Sequence, residues 1–502
     1  MKNTCRRISF VFALAGLTSA ASAADLTAPR DNFYWLNEQN KASVIVLKEE
    51  GIISKPLAGT IARSLQQVIL RGEQPGAPRP TDYLQIEAEM ITIGGAEVSR
   101  IHSGRSRQDL GVTTTRLNLR EALLDTYAQF IDARQSLLEL AQAHLDELLP
   151  FYTNGVQAQP TTVGHYLGGY VQALTRGSDR YQQAWARLNL SPLGGGAGAT
   201  SSFPLNRPRL AELLGFDGIV VNSFDSGQIA PQDLGVEISF LAASGALTLS
   251  MLSADLTVQY ADPQPWFQLK EGDQTGISSM MPQKRNPSGL TRLHATSSTV
   301  VGEAMSYLVQ SNNVMAGMAD YKGGMPLQAI RSTGIMYRDF GKLIRALEFH
   351  PQRAAEEVNN DYATTTELAD TLQRDANVPF RVGHHFASEL VSYGREHKLK
   401  PSEIGFHVAQ QLFKEASESS EFAGSSLPLS ETHFREALSA RHMTHAAKPV
   451  GGPQQQEVTR MLQLEQKRIL NDREWLATVR AKLERAAKLR DKELARLAEE
   501  KT

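Results

Sequence analysis

One Gly/Ser/Pro-rich stretch, residues 271–288, carries the residue types best suited to chemistry. It contains Ser278, followed by Lys284 and Asn286, and Pro287 comes next at a position suited to open a helix. A helix N-terminus beside cations binds anions, and nearby positive charge favours the ionised form of a serine hydroxyl. The stretch therefore predicts a loop in which a serine base lies next to a bound anion. By composition alone, a solvated surface loop is the commoner case.

Long helices are predicted on both sides of this loop and must position it. Apolar residues at helical spacing run through the segments 113–149, 234–261, 290–309 and 334–349. A shorter helical unit at 32–89 precedes them and is interrupted by the Pro-rich stretch 75–80. Alternation of Val, Ile and Thr is almost absent, so a sheet-based fold has little support. The sequence predicts an all-α fold with a central bundle of long helices.

The composition changes near Asn359, where shorter helices begin, and again after the break at Gly451, Gly452 and Pro453. The tail beyond that break has a narrow apolar stripe among charges of both signs. This pattern favours a helix lying on the bundle or on a partner subunit over a basic nucleic-acid-binding arm. The predicted domains are an N-terminal helical domain at 24–112, a central bundle at 113–360, a C-terminal helical domain at 361–450 and a charged helical extension at 451–502.

The first 23 residues have the pattern of a secretory signal peptide. Lys2 and two arginines precede a short apolar run at 8–17, and Ala21, Ser22 and Ala23 form a small-residue exit. The run is too short to span a bilayer, and no later stretch is expected to reach that length. The sequence thus predicts cleavage before Ala24, a periplasmic location, and no membrane association after cleavage.

Charge and ligand residues limit the possible partners. The chain has 52 Lys and Arg against 54 Asp and Glu, a formal net charge of -2, which argues against nucleic acid as the main partner. Its single cysteine, Cys5, leaves with the signal peptide, and its 12 histidines are scattered. No residues stand at metal-ligand spacing, so no metal site is expected.

The wording of the loop is more specific than its composition. Residues 275–287 read TGISSMMPQKRNP, which resembles the signature of the fumarase/aspartase superfamily, and residues 101–109, IHSGRSRQD, resemble a stretch of its argininosuccinate lyase branch. Further matches follow in that branch's order and cover nearly all of the chain after the signal peptide. They are 164–167, 191–194, 203–204, 213–216, 222–225, 378–381 and 451–453.

The resemblance implies a three-domain, all-α fold with a central long-helix bundle and an elimination reaction. A base removes a proton from the carbon beside a carboxylate, a dianion forms, and an amine leaves together with fumarate. By position, the catalytic residues are Ser278 as the base, Thr153 as a carboxylate contact, and Asn154. The substrate-binding residues are Ser106, Arg107, Gln108, Lys284, Asn286 and Lys322. The family also implies a homotetramer whose sites each combine three subunits, a small dicarboxylate or amino-acid substrate, and no cofactor.

Several positions depart from the family's pattern. Asn154 and Thr291 stand where the branch has a histidine and a glutamate that act as a charge-relay pair on the amine side. Asn and Thr form hydrogen bonds but do not shift a proton near neutral pH. Gln108 replaces an asparagine, and Ile277 replaces the last glycine of the loop, which predicts a stiffer loop.

Three hypotheses follow. The first is a lyase acting on an N-succinyl amine of the argininosuccinate type. The second is a lyase of the same superfamily acting on a different N-substituted amino acid or leaving group, as the missing pair and the export signal suggest. The third is a non-catalytic homologue used for binding, which the retention of Ser278, Lys284 and Asn286 disfavours.

Overall fold

The computed structural model describes residues 30–318, 325–418 and 420–499. Helices dominate these residues and the strands are short, which confirms the predicted all-α class. The signal peptide at 1–23 and Lys322 lie outside the described residues. The helices are α1 (Asn32–Glu49), α2 (Lys55–Gly72), α3 (Tyr83–Gly94), α4 (Arg107–Ala143), α5 (Val163–Leu188), α6 (Arg207–Leu213), α7 (Ala230–Val258), α8 (Ser288–Ser311), α9 (Met325–Arg345), α10 (Pro351–Asn360), α11 (Thr365–Ala376), α12 (Phe380–Glu396), α13 (Phe406–Ala416), α14 (Glu431–Ala437), α15 (Ala440–Ala446) and α16 (Gln455–Glu499).

The described strands form four two-stranded pairs. The pairs β1–β2, β5–β8 and β6–β7 are antiparallel, and the pair β3–β4 is parallel. The strands are β1 (Leu148–Thr153), β2 (Val156–Thr162), β3 (Leu190–Ser191), β4 (Gly218–Ile219), β5 (Phe267–Leu269), β6 (Gly276–Ile277), β7 (Arg285–Asn286) and β8 (Leu347–Phe349).

The largest apolar core lies in a bundle of α4, α5, α7, α8 and α9. The buried rings of Tyr127, Phe130, Tyr181 and Tyr337 pack there at centroid distances of 5.1 to 6.0 Å. A Cβ atom at Gly245 would lie 1.8 Å from the Tyr337 hydroxyl, so glycine at this position lets α7 approach α9 closely. The predicted central long-helix bundle is therefore present.

Two predicted helices end earlier than their apolar patterns suggested. Helix α4 ends at Ala143, and Leu148 and Leu149 lie in β1 instead; α9 ends at Arg345, and residues 347–349 form β8. Short apolar runs fit a buried strand as well as a helix. The choice between helix and strand depends on the pairing partner. The partner of β1 is β2, across a tight turn, and the partner of β8 is β5, about 80 residues earlier.

One described helix, Asp225–Ala261, is long and apolar enough to cross a membrane by length and composition alone. This corrects the expectation that no stretch after the signal peptide reaches that length. Half of its most apolar window is buried inside the protein, because α7 packs against α5, α8 and α9. Core helices of bundles pass the same test, so the apolar length of this helix is accounted for by packing.

Two smaller cores and a long terminal helix complete the chain. Helices α1 to α3 form one core with α6, and residues 362–438 form another. Helix α16 has 45 residues and is about 68 Å long at 1.5 Å per residue. Val458 and Ile469, near its start, belong to the bundle core, whereas Leu494 and Leu497 belong to the N-terminal core. The predicted domain boundaries stay predictions.

The bundle has two ends, and the first is the one where α4 begins. There Gln108 Nε2 donates to the Gly227 carbonyl at 2.8 Å, just before α7 begins. The Tyr307 hydroxyl, near the end of α8, donates to the Pro231 carbonyl at 3.3 Å. We call this the proximal end: α4 and α7 start there, and α8 finishes there.

At the opposite, distal end, α4 finishes and β1–β2 and β5–β8 begin. The His144 ring lies 5.1 Å from that of Phe349, which pairs with Phe267 of β5. The Tyr152 ring of β1 stacks on Trp266 at 6.2 Å. The segment from β5 to α8, which contains the Ser278 loop, therefore emerges at the distal end.

Candidate active site

The Ser278 loop is closed at its base by strand pairing. Gly276 pairs with Asn286 and Ile277 with Arg285, so β6 and β7 bracket residues 278–284. This short ladder places Ser278, Lys284 and Asn286 on one small loop.

The Ser278 side chain is oriented by the backbone of its own loop. Its Oγ accepts hydrogen bonds from the backbone N–H groups of Met281 at 3.0 Å and Met280 at 3.4 Å. Two N–H donors stabilise negative charge on that oxygen, as hydrogen bonds to a charged form favour it. The geometry therefore suits a serine that loses its proton during a reaction.

Lys284 and Asn286 flank the exit of the loop. Lys284 is exposed and Asn286 is half-buried in β7. Pro287 takes the N-cap position of α8, one residue before the first helical position that proline prefers. Thr291 lies exposed in the first turn of α8, and its hydroxyl donates to the Pro287 carbonyl at 3.4 Å.

Ser106, Arg107 and Gln108 lie at the proximal end. Ser106 is the N-cap of α4: its Oγ accepts from the Gln108 N–H at 3.2 Å, and its own N–H donates to Asp109 at 2.8 Å. Asp109 also accepts from the N–H groups of Gly194 and Gly196, and burial raises its pKa. The predicted binding segment is thus held by a capping box and a buried carboxylate.

Arg107 and Gln108 line a cavity of about 400 Å³ between the N-terminal helices and the bundle. Arg107 is exposed and lies 3.3 Å from Asp82. Tyr83 and Thr115 also line the cavity, and sequence reasoning missed them. Helical spacing could have predicted Thr115, because it lies seven residues after Gln108 on the same face of α4. Asp82 and Tyr83 carry no such local signal.

Thr153 and Asn154 occupy the tip of the β1–β2 hairpin. Thr153 pairs with Val156, and the two turn residues have positive φ, 52° at Asn154 and 76° at Gly155. This is the arrangement that Asn-Gly favours in a two-residue hairpin turn. The dipeptide was a readable signal of the hairpin. Both predicted residues are exposed at the distal end.

A single chain does not bring all of these residues together. Helix α4 has 37 residues, so Arg107 and the hairpin that follows α4 are separated by roughly 55 Å along its axis. The Ser278 loop emerges at the distal end, away from the Arg107 cavity. Lys322, the last predicted binding residue, lies outside the described residues.

The described residues contain no group of three or more His, Cys, Asp or Glu side chains that could hold a metal ion. The loop that carries the Ser278 hydroxyl also carries the Lys284 ammonium and the Asn286 amide. This set can hold a carboxylate and take a proton from an adjacent carbon.

Comparison with known families gives two matches along the chain. Residues 81–302 match the lyase family, and residues 362–443 match the C-terminal domain of argininosuccinate lyase. The argininosuccinate lyase of Methanosarcina acetivorans is 31% identical over 451 residues, which cover 89% of each chain. That of Methanocaldococcus jannaschii is 30% identical and covers 85% of this chain and 87% of the relative.

Solved structures give the same picture. EDDS lyase in complex with formate superposes with a TM-score of 0.84 at 29% identity, covering 93% of this chain and 92% of that one. A variant of EDDS lyase with bound fumarate matches equally well. The fumarate lyase of Mesorhizobium sp. BNC1 has a TM-score of 0.67 at 16% identity over 87% of this chain and 96% of that one, and so shares the fold.

Proposed function

Because the chain belongs to the argininosuccinate lyase family of the fumarase/aspartase superfamily, we propose that its substrate is an N-succinyl amine of the argininosuccinate type. It is a carbon–nitrogen lyase that releases fumarate. The geometry around Ser278 Oγ carries the proposal, because its two backbone donors suit a base.

The reaction is a β-elimination in which Ser278 starts the electron movement. Its ionised Oγ takes a proton from the CH₂ carbon of the succinyl group, which is next to the carboxylate farther from the nitrogen. The electron pair of that C–H bond passes into the same carboxylate. The resulting dianion collapses, the carbon–nitrogen bond breaks, and the pair leaves on nitrogen. Lys284 and Asn286 hold the carboxylate, since positive charge and fixed donors are most effective where charge develops.

The amine side of the site differs from the family's pattern. Asn154 and Thr291 carry no proton that they can transfer near neutral pH. The leaving nitrogen must therefore take its proton from another group or from water.

A homotetramer supplies the missing neighbours. Arg107 and Ser278 lie at opposite ends of one bundle, so a small substrate reaches both only if different copies contribute them. Helix α7 also exposes Phe240, Leu247 and Met251, which lie on one face and suit burial against another copy.

The test is fumarate release from argininosuccinate, followed by ultraviolet absorbance with the protein from Ala24 onward. Ser278→Ala should lower the rate by about 10²- to 10⁴-fold, because it removes the base. Ser279→Ala is the matched control and should stay within about tenfold of the wild type. Loss of activity in the Ser279 variant alone would mean that the base is misassigned.

No fumarate from the wild-type protein would exclude argininosuccinate and lead to other N-succinyl amines as substrates. Failure with all of them would favour the binding homologue.

Export to the periplasm is the second part of the proposal. It rests on the signal-peptide pattern of residues 1–23. N-terminal sequencing of the exported protein should begin at Ala24; an intact Met1 would contradict it.

A further inference from the structure

Arg285 connects three parts of the Ser278 loop. Its Nε donates to Glu271 Oε1 at 2.5 Å, outside the strand pair. Its Nη1 donates to the carbonyls of Pro282 at 2.8 Å and Lys284 at 3.3 Å, inside the loop. One guanidinium thus links the approach to the loop with its tip.

The base of the loop is held separately. Arg292 of α8 donates to the Asp273 carbonyl at 2.8 Å and to the Gln274 side chain at 3.2 Å. The Gly289 N–H donates to the Gln274 carbonyl at 2.8 Å, and a Cβ at Gly289 would lie 2.4 Å from Gln274 Oε1. These contacts hold the residues where the loop begins and ends, and none of them depends on the side chain at position 285.

The tip has fewer restraints. Within residues 278–284, the Lys284 N–H donates to the Met281 carbonyl at 3.1 Å, and Met280 and Met281 donate to Ser278. Among the described residues, the Arg285 side chain reaches the tip from outside it, through its bonds to the carbonyls of Pro282 and Lys284. Its loss would leave the donors that face Ser278 free to move.

We propose that Arg285 is a positioning residue, oriented by Glu271, that keeps the Met280 and Met281 N–H groups directed at Ser278. It acts through the Pro282 carbonyl and does not need to touch the substrate. The kinetic test of this inference rests on the proposed function, whereas the hydrogen-exchange test does not. Arginine suits this task because its planar fork can donate to a carboxylate and to carbonyls simultaneously, whereas lysine donates from one point.

The strength of the Glu271–Arg285 ion pair should depend on the salt concentration, because both side chains are exposed. The Glu271 and Arg285 side chains are 73% and 37% exposed, so the ion pair is weak and screened by salt. Raising the ionic strength should therefore lower kcat in the wild type at saturating substrate. It should have little effect on kcat in Glu271→Gln, where the ion pair is already gone.

The kinetic test compares Arg285→Ala, Arg285→Lys and Glu271→Gln with the wild type. Glu348→Gln is the control, because it breaks another exposed ion pair at the same end, Lys270 to Glu348 at 3.5 Å. We expect Arg285→Ala to lower kcat about tenfold with KM changed less than about twofold, because the N–H donors that stabilise the ionised Ser278 are displaced while the carboxylate contacts remain. Arg285→Lys should fall between the wild type and Arg285→Ala.

Amide hydrogen exchange supplies an arm that needs no turnover. Amide hydrogens in peptides covering 278–284 should exchange faster in Arg285→Ala than in the wild type. Their exchange rate should be unchanged in Glu348→Gln. Unchanged exchange in Arg285→Ala would overturn the inference even if fumarate is released. A larger effect on KM than on kcat would overturn it as well, since Arg285 would then bind the substrate. Faster exchange in a protein that releases no fumarate would support the positioning role and contradict the proposed function alone.

Discussion

At the scale of single residues, Asn154 has both a conformational role in its turn and a chemical consequence for proton transfer. Its φ of 52° lies in the left-handed region, and Gly155 follows with φ of 76°. Asparagine is among the residues that tolerate this region best, so the turn alone accounts for its type. The chemical consequence is nevertheless real, because the side chain at the hairpin tip cannot shift a proton near neutral pH.

The double variant Asn154→His with Thr291→Glu tests that consequence. If the missing pair limits proton delivery to the leaving amine, fumarate release from argininosuccinate should rise by about tenfold or more. Histidine is also tolerated at positive φ, so the fold should be kept. The two single variants are the controls, with the melting temperature followed in parallel. An unchanged rate in a folded double variant would show that the two positions do not form a relay.

At the scale of elements, α16 is joined to the bundle by a buried ion pair. Arg134 of α4 is fully buried, and its Nη1 donates to Asp472 of α16 at 2.7 Å. Gln182 donates to the other oxygen of Asp472 at 3.0 Å. Closer to the C-terminus, Arg490 pairs with Glu38 of α1, also out of solvent. The charged tail therefore places several of its charges inside the protein.

Asp472→Leu should lower the free energy of unfolding by about 3–5 kcal/mol, because it leaves the Arg134 charge buried without a partner. Adding Arg134→Met should recover most of that loss, since an apolar pair of similar volume needs no solvation. Denaturant unfolding measures both. The control is Asp125→Asn, which breaks an exposed contact with Arg480 and should cost at most about 1 kcal/mol. Equal losses for Asp472→Leu and Asp125→Asn would contradict the burial argument.

At the scale of the whole molecule, the distance between the two ends of the bundle decides how the proposed site is assembled. Ser278 lies on a distal loop and Arg107 on a proximal cavity. In the proposed tetramer, a substrate in contact with both residues must take them from different copies.

Mixing two inactive variants tests this arrangement. Arg107→Ala and Ser278→Ala should each be inactive, but unfolding and refolding them together should restore up to about one quarter of the sites, those that receive both native residues. Fumarate release measures the recovery. The control is refolding of each variant alone. If the mixture stays inactive although mixed oligomers form, both residues belong to one chain's site or one of them is misassigned.

The sequence by itself determined the features that depend on neighbours along the chain. Ser278, Lys284 and Asn286 lie within nine residues, so their grouping on one loop needs only a closed base. The helical spacing of apolar residues likewise predicted the bundle, because that pattern reflects which face of a helix is buried.

Only the tertiary structure decided the features that depend on distant partners. Leu148 and Leu149 fit a helix or a strand, and pairing with β2 makes them a strand. Gln108 and Tyr83 both line one cavity, and Gln108 bonds to Gly227, 119 residues away. The separation of Arg107 from Ser278 follows from the length and direction of α4, α7 and α8. The physical reason is that local spacing sets which residues a helix buries, whereas packing between helices sets which ends meet.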